Sequence, residues 1–260
     1  MEYDIYEVKG FGDVKELLPI ILKTLKKGRL HFGNKMNNLL KENVDSPNLV
    51  FGPPSSCSKI SPGDLLFTSE ASFAIYDHDA IIYNPLVPLK YCAYSVKSSF
   101  PLFLQYETIR HYLHEYAHYL LSKMIPKHFA KGYNFNFTSS EEGLKSLIIF
   151  SRNESLADNI AHRCTRDFSD SKNMEELKEK QLFDIISSYN SKNESPAYRF
   201  ISNEIILKNY YYKNFQEVSD TELRQHILNT NWDDVTINDK IEALTILEMY
   251  IAPYKNQKWC

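Results

Sequence analysis

The chain has 260 residues, enough for one large domain or two modest ones, and its 43% hydrophobic and 24% charged residues are those of a globular protein. A formal net charge of −3 gives no basic footprint for nucleic acid and no polybasic patch for a membrane surface, so neither is an expected partner. No secretory leader or run of about 18 apolar residues is visible, and Cys57, Cys92, Cys164 and Cys260 are scattered without paired spacing. That usage fits reduced thiols and a cytoplasmic setting better than a disulfide framework.

From Asp13 to about Lys27, Val14, Leu17, Leu18, Ile21 and Leu25 recur at helical spacing, with Asp13 and Glu16 as a capping pair and Gly28 as a C-terminal stop. Pro19 implies a kink or a late start. Residues 45 to 64 hold four prolines, two glycines and several serines and read as the clearest loop in the chain. Two β-rich runs, Ser72–Tyr76 and Ala80–Asn84, flank Asp77-His78-Asp79 as in a hairpin. Such a strand could pair with an extended peptide by β-augmentation or could simply belong to the core.

Ile109, Leu113, Tyr116, Ala117, Leu120 and Met124 then mark an amphipathic helix from about 106 to 124, ending before Pro126. It carries His114-Glu115-Tyr116-Ala117-His118, an H-E-x-x-H pattern. Residues four apart share a helix face, so His114 and His118 can offer imidazole nitrogens to one zinc ion. Glu115, one step round the helix, is displaced from that point and is placed to act as general base on a metal-activated water. The histidines could alternatively be ordinary polar-face residues.

A catalytic zinc commonly takes three protein ligands and leaves a position open. A metzincin continuation would need Gly and His where Leu121 and Met124 stand, so that class is excluded. His111 lies one turn back and would compete with the pair. Downstream, residues 139 to 162 read as one long helix or two abutting ones and contain Asn153-Glu154-Ser155-Leu156-Ala157-Asp158. Glu154 is the candidate third ligand, with Glu141 and Glu142 as runners-up. Against it stands a capping-box reading, Ser151 with Glu154. From about 173 the pattern is helical over 173 to 190, 196 to 213, 219 to 229 and 236 to 251, with Ser219–Glu222 as a capping box, Thr236 as an N-cap and no catalytic constellation.

The H-E-x-x-H motif together with the Glu154 segment resembles the gluzincin zinc metallopeptidases and is similar in arrangement to the ImmA/IrrE-like peptidases. In that group a liganding Glu on a later helix is followed by a small residue three on, here Ala157, and an Asp four on, here Asp158. The resemblance implies His114, His118 and Glu154 as ligands of one zinc per chain, Glu115 as the catalytic base and Asp158 as the carboxylate holding a liganding imidazole. It implies an endopeptidase acting on a protein or peptide substrate, with an oxyanion donor from a downstream His or Tyr. Tyr133, His162, His128, Tyr198, Tyr210, Tyr211 and His226 are the candidates for that donor, none of them marked; His162, two turns beyond Glu154 and so about 12 Å along the helix axis, is too remote on that helix.

The expected fold is α+β and mostly helical: a zincin-like core with a small β-hairpin or sheet packed on the active-site helix, plus a helical C-terminal region. The expected organisation is an N-terminal helix and loop region over 1–60, the metallopeptidase core over 61–170 and the helical region over 171–260. Cys57 or Cys92 could cap the zinc in a latent form. Two other function classes remain: a metal-binding but catalytically inactive interaction module docking a protein through its C-terminal helices, and a helical binding protein whose motif is coincidental.

Overall fold

A computed structural model describes residues 14–45, 47–51, 72–74, 80–83, 100–129, 140–166 and 196–255. Among them run α1 (Val14–Leu40), β1 (Asn48–Phe51), β2 (Ser72–Ala74), β3 (Ala80–Tyr83), α2 (Phe100–Met124), α3 (Pro126–Phe129), α4 (Ser140–Thr165), α5 (Pro196–Gln216), α6 (Asp220–Asn229) and α7 (Ile237–Lys255). The chain divides into two compact units, Met1–Ala130 with Ile160–Lys172, and Lys131–Asn159 with Asn173–Cys260. No described helix is long and apolar enough to cross a membrane.

These elements correct the expected fold class. The described residues are overwhelmingly helical, so the α+β assignment with a zincin-like sheet core is replaced by a helical one. Among the described residues, extended chain is confined to three strands of three or four residues. The physical reason is length: a strand this short turns only one or two side chains to a given face, whereas each long helix presents a continuous apolar stripe. The strands pair in the order β1-β3-β2, with β3 antiparallel to β2 and parallel to β1. Asn48–Phe51 lies inside the stretch read as a loop; its partner across the ladder is more than 30 positions away, a pairing no local signal announces.

In the first unit the core is helix against helix. Ile21, Leu25, Met36 and Leu40 of α1 are buried, as are Leu104, Ile109, Leu113, Tyr116 and Leu120 of α2. Gly28 does not stop α1, which runs on to Leu40. Its role is spacing: a Cβ there would stand 2.3 Å from Ile109 Cδ1, and one at Gly33 would stand 3.2 Å from Tyr116 Cε1. The two glycines, five apart, let α1 lie close on α2. Tyr116 Oη then donates to Asn37 Oδ1 at 2.9 Å, and Tyr83 Oη donates to the Thr108 carbonyl at 3.1 Å, tying α1 and β3 to α2. Helix α2 is buried on all sides from Tyr106 to Ser122 except at His118, as a central helix must be.

Residues 140 to 165, most of them in the second unit, form one continuous helix rather than two. Ser151 and Glu154 therefore sit mid-helix, where no free N-terminal N–H exists to cap, and the capping-box reading falls. Ser219 and Glu222 do form a complete capping box at the start of α6. Thr236 and Asp239 make the same reciprocal bonds before α7. Asp239 also receives Arg152 of α4, whose guanidinium lies over the Tyr211 ring at 5.3 Å. Trp232 donates its indole N–H to the Ile227 carbonyl at 3.0 Å and packs its ring near Phe215 and His226. The helix expected over 173–190 lies outside the described residues.

Candidate metal centre

Helix α2 carries a polar stripe through an apolar core. Glu107, Arg110, His111, His114 and Glu115 are all at most 7% exposed. At its N-terminal end the stripe is self-neutralising: Arg110 donates to Glu107 Oε2 from Nε at 3.0 Å and from Nη2 at 2.9 Å. His111 Nε2 lies 3.3 Å from that same oxygen and 3.1 Å from Arg110 Nη2. Burial, then the Arg110 charge, pushes the His111 pKa down to about 3, so the ring is neutral at physiological pH. Burial works against the Glu107 carboxylate, but Arg110 and His111 outweigh it and hold its pKa down at about 2. His111 is thus engaged one turn back with Glu107, beside an ion pair that the motif reading did not mark.

One turn further, His114 and His118 converge. Their Nε2 atoms are 3.2 Å apart, with the rings edge to face at 82° and 4.7 Å between centroids. Two nitrogens each at roughly 2.0–2.1 Å from zinc in a tetrahedral arrangement stand about 3.3 Å apart. The pair is therefore already spaced for a shared cation, and the i, i+4 step of the helix is what sets it. His114 is 7% exposed, while His118 is the one partly open position in this stretch.

Helix α4 repeats that pattern. From Ser151 to Thr165 only Arg152 and Glu154 are not buried. The ligand atoms of His114, His118 and Glu154 all lie within 4.8 Å of one another, a group that could hold a metal ion. A closed tetrahedral set needs about 3.4 Å between its donors, inside that limit. Two imidazoles and a carboxylate are the donor set of His₂Glu catalytic zinc sites, and the residues present fit such an ion.

The other expected residues fall as follows. Asp158 is 8% exposed and lies 3.0 Å from the Lys208 ammonium, which is also 3.7 Å from Glu154 Oε2. Lys208, in the region read as lacking any constellation, is the residue that sequence reasoning missed. Its only local signal is its place after the apolar run Ile205-Ile206-Leu207, and nothing there points to acids some fifty positions earlier. Glu141 is exposed at the start of α4 and binds Lys240 at 2.6 Å, and Glu142 is exposed beside it. Among the candidate donors, Tyr210 Oη donates to Glu242 at 2.7 Å, Tyr211 is buried under Arg152 with its pKa pushed up to about 12, and His226 Nδ1 meets the Thr230 hydroxyl at 3.2 Å. Burial raises the Tyr211 value, partly offset by Arg152. His162 is buried in the last turn of α4. Tyr133, Cys57 and Cys92 lie outside the described residues, as does the Asp77-His78-Asp79 turn. No family model matches this chain, and no curated protein or solved structure matches it either.

Proposed function

We propose that the protein is a zinc-dependent endopeptidase of gluzincin type, binding one zinc per chain and cleaving a protein or peptide substrate. The observation that carries the reading is the grouping of His114 and His118 of α2 with Glu154 of α4, Glu115 being the residue next to His114 on the buried helix α2. When bound, zinc would supply Lewis-acid polarisation of a carbonyl and a water whose pKa falls from 15.7 towards about 7. The chain's own residues then divide the work. His114 and His118 act as neutral imidazole donors and Glu154 as the third ligand. Glu115 accepts the proton of the attacking water and delivers it to the leaving amine. Low dielectric around Glu115, which is 5% exposed, strengthens its interaction with any charge that develops next to it. A cytoplasmic setting belongs to the proposal and is supported by Cys164, a buried free thiol.

The test begins with protein purified without chelator. One equivalent of zinc per chain, hydrolysis in a peptide library, and loss of that hydrolysis in Glu115→Gln with zinc retained are the expected results. Protein that holds no divalent metal and gains none on titration overturns the proposal. The second reading, a catalytically inactive metal-binding interaction module, is favoured by the exposed Ile237, Ile241 and Leu244 on α7. It predicts zinc without turnover on any peptide.

A further inference from the structure

The acids Glu154 and Asp158 are one helical turn apart on α4 and share a face. Both meet an ammonium: Lys208 Nζ is 3.0 Å from Asp158 Oδ2 and 3.7 Å from Glu154 Oε2. This lysine is held in place at its backbone. Ser155 Oγ, fully buried between the two acids in sequence, lies 2.6 Å from the Lys208 carbonyl oxygen and 2.5 Å from that of Ser151, and shares its one hydrogen between them. Ile206 and Leu207, immediately before Lys208, are buried at 2% and 0%. The charge is therefore delivered to the acid pair by the seating of α5 on α4, and not by a drifting surface side chain.

We propose that Lys208 is a built-in competitor for the metal group: it occupies Glu154 electrostatically in the metal-free chain and weakens cation binding by its own positive charge. The inference rests on the metal reading above and concerns the strength of that site. The two distances say which contact yields. The Asp158 contact is hydrogen-bond close, whereas the Glu154 contact is longer and looser, so an arriving divalent cation takes Glu154 and leaves Lys208 on Asp158. At the present 3.7 Å contact, a cation bound to Glu154 Oε2 at roughly 2.0–2.2 Å would lie about 6 Å from Nζ. A single and a double positive charge at that separation, even with the full dielectric screening of water, oppose binding by a factor of about ten. Asp158 keeps Lys208 nearby, so the repulsion persists in the loaded state. The result is a site tuned weaker than its two imidazoles and carboxylate alone would make it.

The experiment measures zinc dissociation constants, by competition with a chromophoric chelator at fixed pH and ionic strength, for the wild-type chain, Lys208→Met, Lys208→Gln and Lys208→Arg. Thermal melting in excess chelator is recorded for each. Both neutral variants are expected to bind zinc about tenfold more tightly, with the gain shrinking at high salt. They are also expected to melt at lower temperature without metal, because two carboxylates lose their shared counter-charge. Lys208→Arg keeps the charge and is expected to retain wild-type affinity. A purely structural lysine would instead lower affinity when replaced. Wild-type zinc binding that both neutral variants leave unchanged or weaken overturns this inference alone, and absence of zinc binding in every protein overturns it together with the metal reading.

Discussion

Replacing Gly28 by Ala tests the packing that seats the motif-bearing helix. Ala in a helix interior is favoured over Gly by about 1 kcal/mol, so on propensity alone the change stabilises. The structure opposes this: the new Cβ would lie 2.3 Å from Ile109 Cδ1 and 3.1 Å from Cγ1, against about 3.5–4.0 Å for an ordinary carbon contact. Ile109 is 1% exposed, and as a β-branched residue in a helix it is restricted to one χ1 rotamer. Cγ1 at 3.1 Å has to give by only a few tenths of an ångström, so Cδ1 is the atom in the way, and at a site this buried a χ2 rotation would press it on other neighbours. Overpacking of this kind costs about 1–3 kcal/mol, so Gly28→Ala is expected to be net destabilising by about 1 kcal/mol. Ile109→Val deletes Cδ1 and costs roughly 0.5–1.5 kcal/mol by itself. In that background Gly28→Ala is expected to be neutral or stabilising, giving a coupling of about 1–2 kcal/mol between the two positions. Urea unfolding of the four proteins measures the cycle. Additive effects, or a stabilised Gly28→Ala single variant, would refute the close α1–α2 approach.

Two further outcomes follow from the same reasoning. The folded-state pKa values of His111 and Glu107 are depressed to about 3 and about 2, against ordinary values of 6.5 and 4.5, so the unfolded chain takes up protons first as pH falls. Their contribution to stability is therefore full above about 6.5, declines below it as His111 protonates in the unfolded state, and declines further below about 4.5 through Glu107. Melting temperatures in excess chelator should fall from pH 7.5 to pH 5 more steeply in the wild type than in His111→Gln; equal slopes would count against the buried cluster. Ser219→Ala removes the hydroxyl that accepts from the Glu222 N–H and should cost about 1 kcal/mol in denaturant unfolding, with a cost near zero showing that the box does not hold α6.

What was legible in the sequence was what the helix itself enforces. The i, i+4 spacing places His114 and His118 on one face whatever surrounds them, and the convergence of their nitrogens needs no partner element. The caps at Ser219 and Thr236, and the helical stretches near 106–124, 139–162, 196–213, 219–229 and 236–251, are likewise local signals, met within a few residues at their ends. Periodicity also carries no information on what an apolar stripe packs against, which is why Gly28 read as a stop although it is a point of close contact with Ile109.

The tertiary structure decided everything that depends on distant neighbours. It turned an expected α+β core into a helical one, because three strands of three or four residues cannot rival the faces of 25-residue helices. It set aside the alternative capping reading of Glu154, since a continuous helix leaves no cap to make, and left it a mid-helix carboxylate in a group that could hold a metal ion. It also brought Lys208 to Glu154 and Asp158 across some fifty residues of chain, a juxtaposition set by the buried Ser155, Ile206 and Leu207 that sequence spacing alone does not encode.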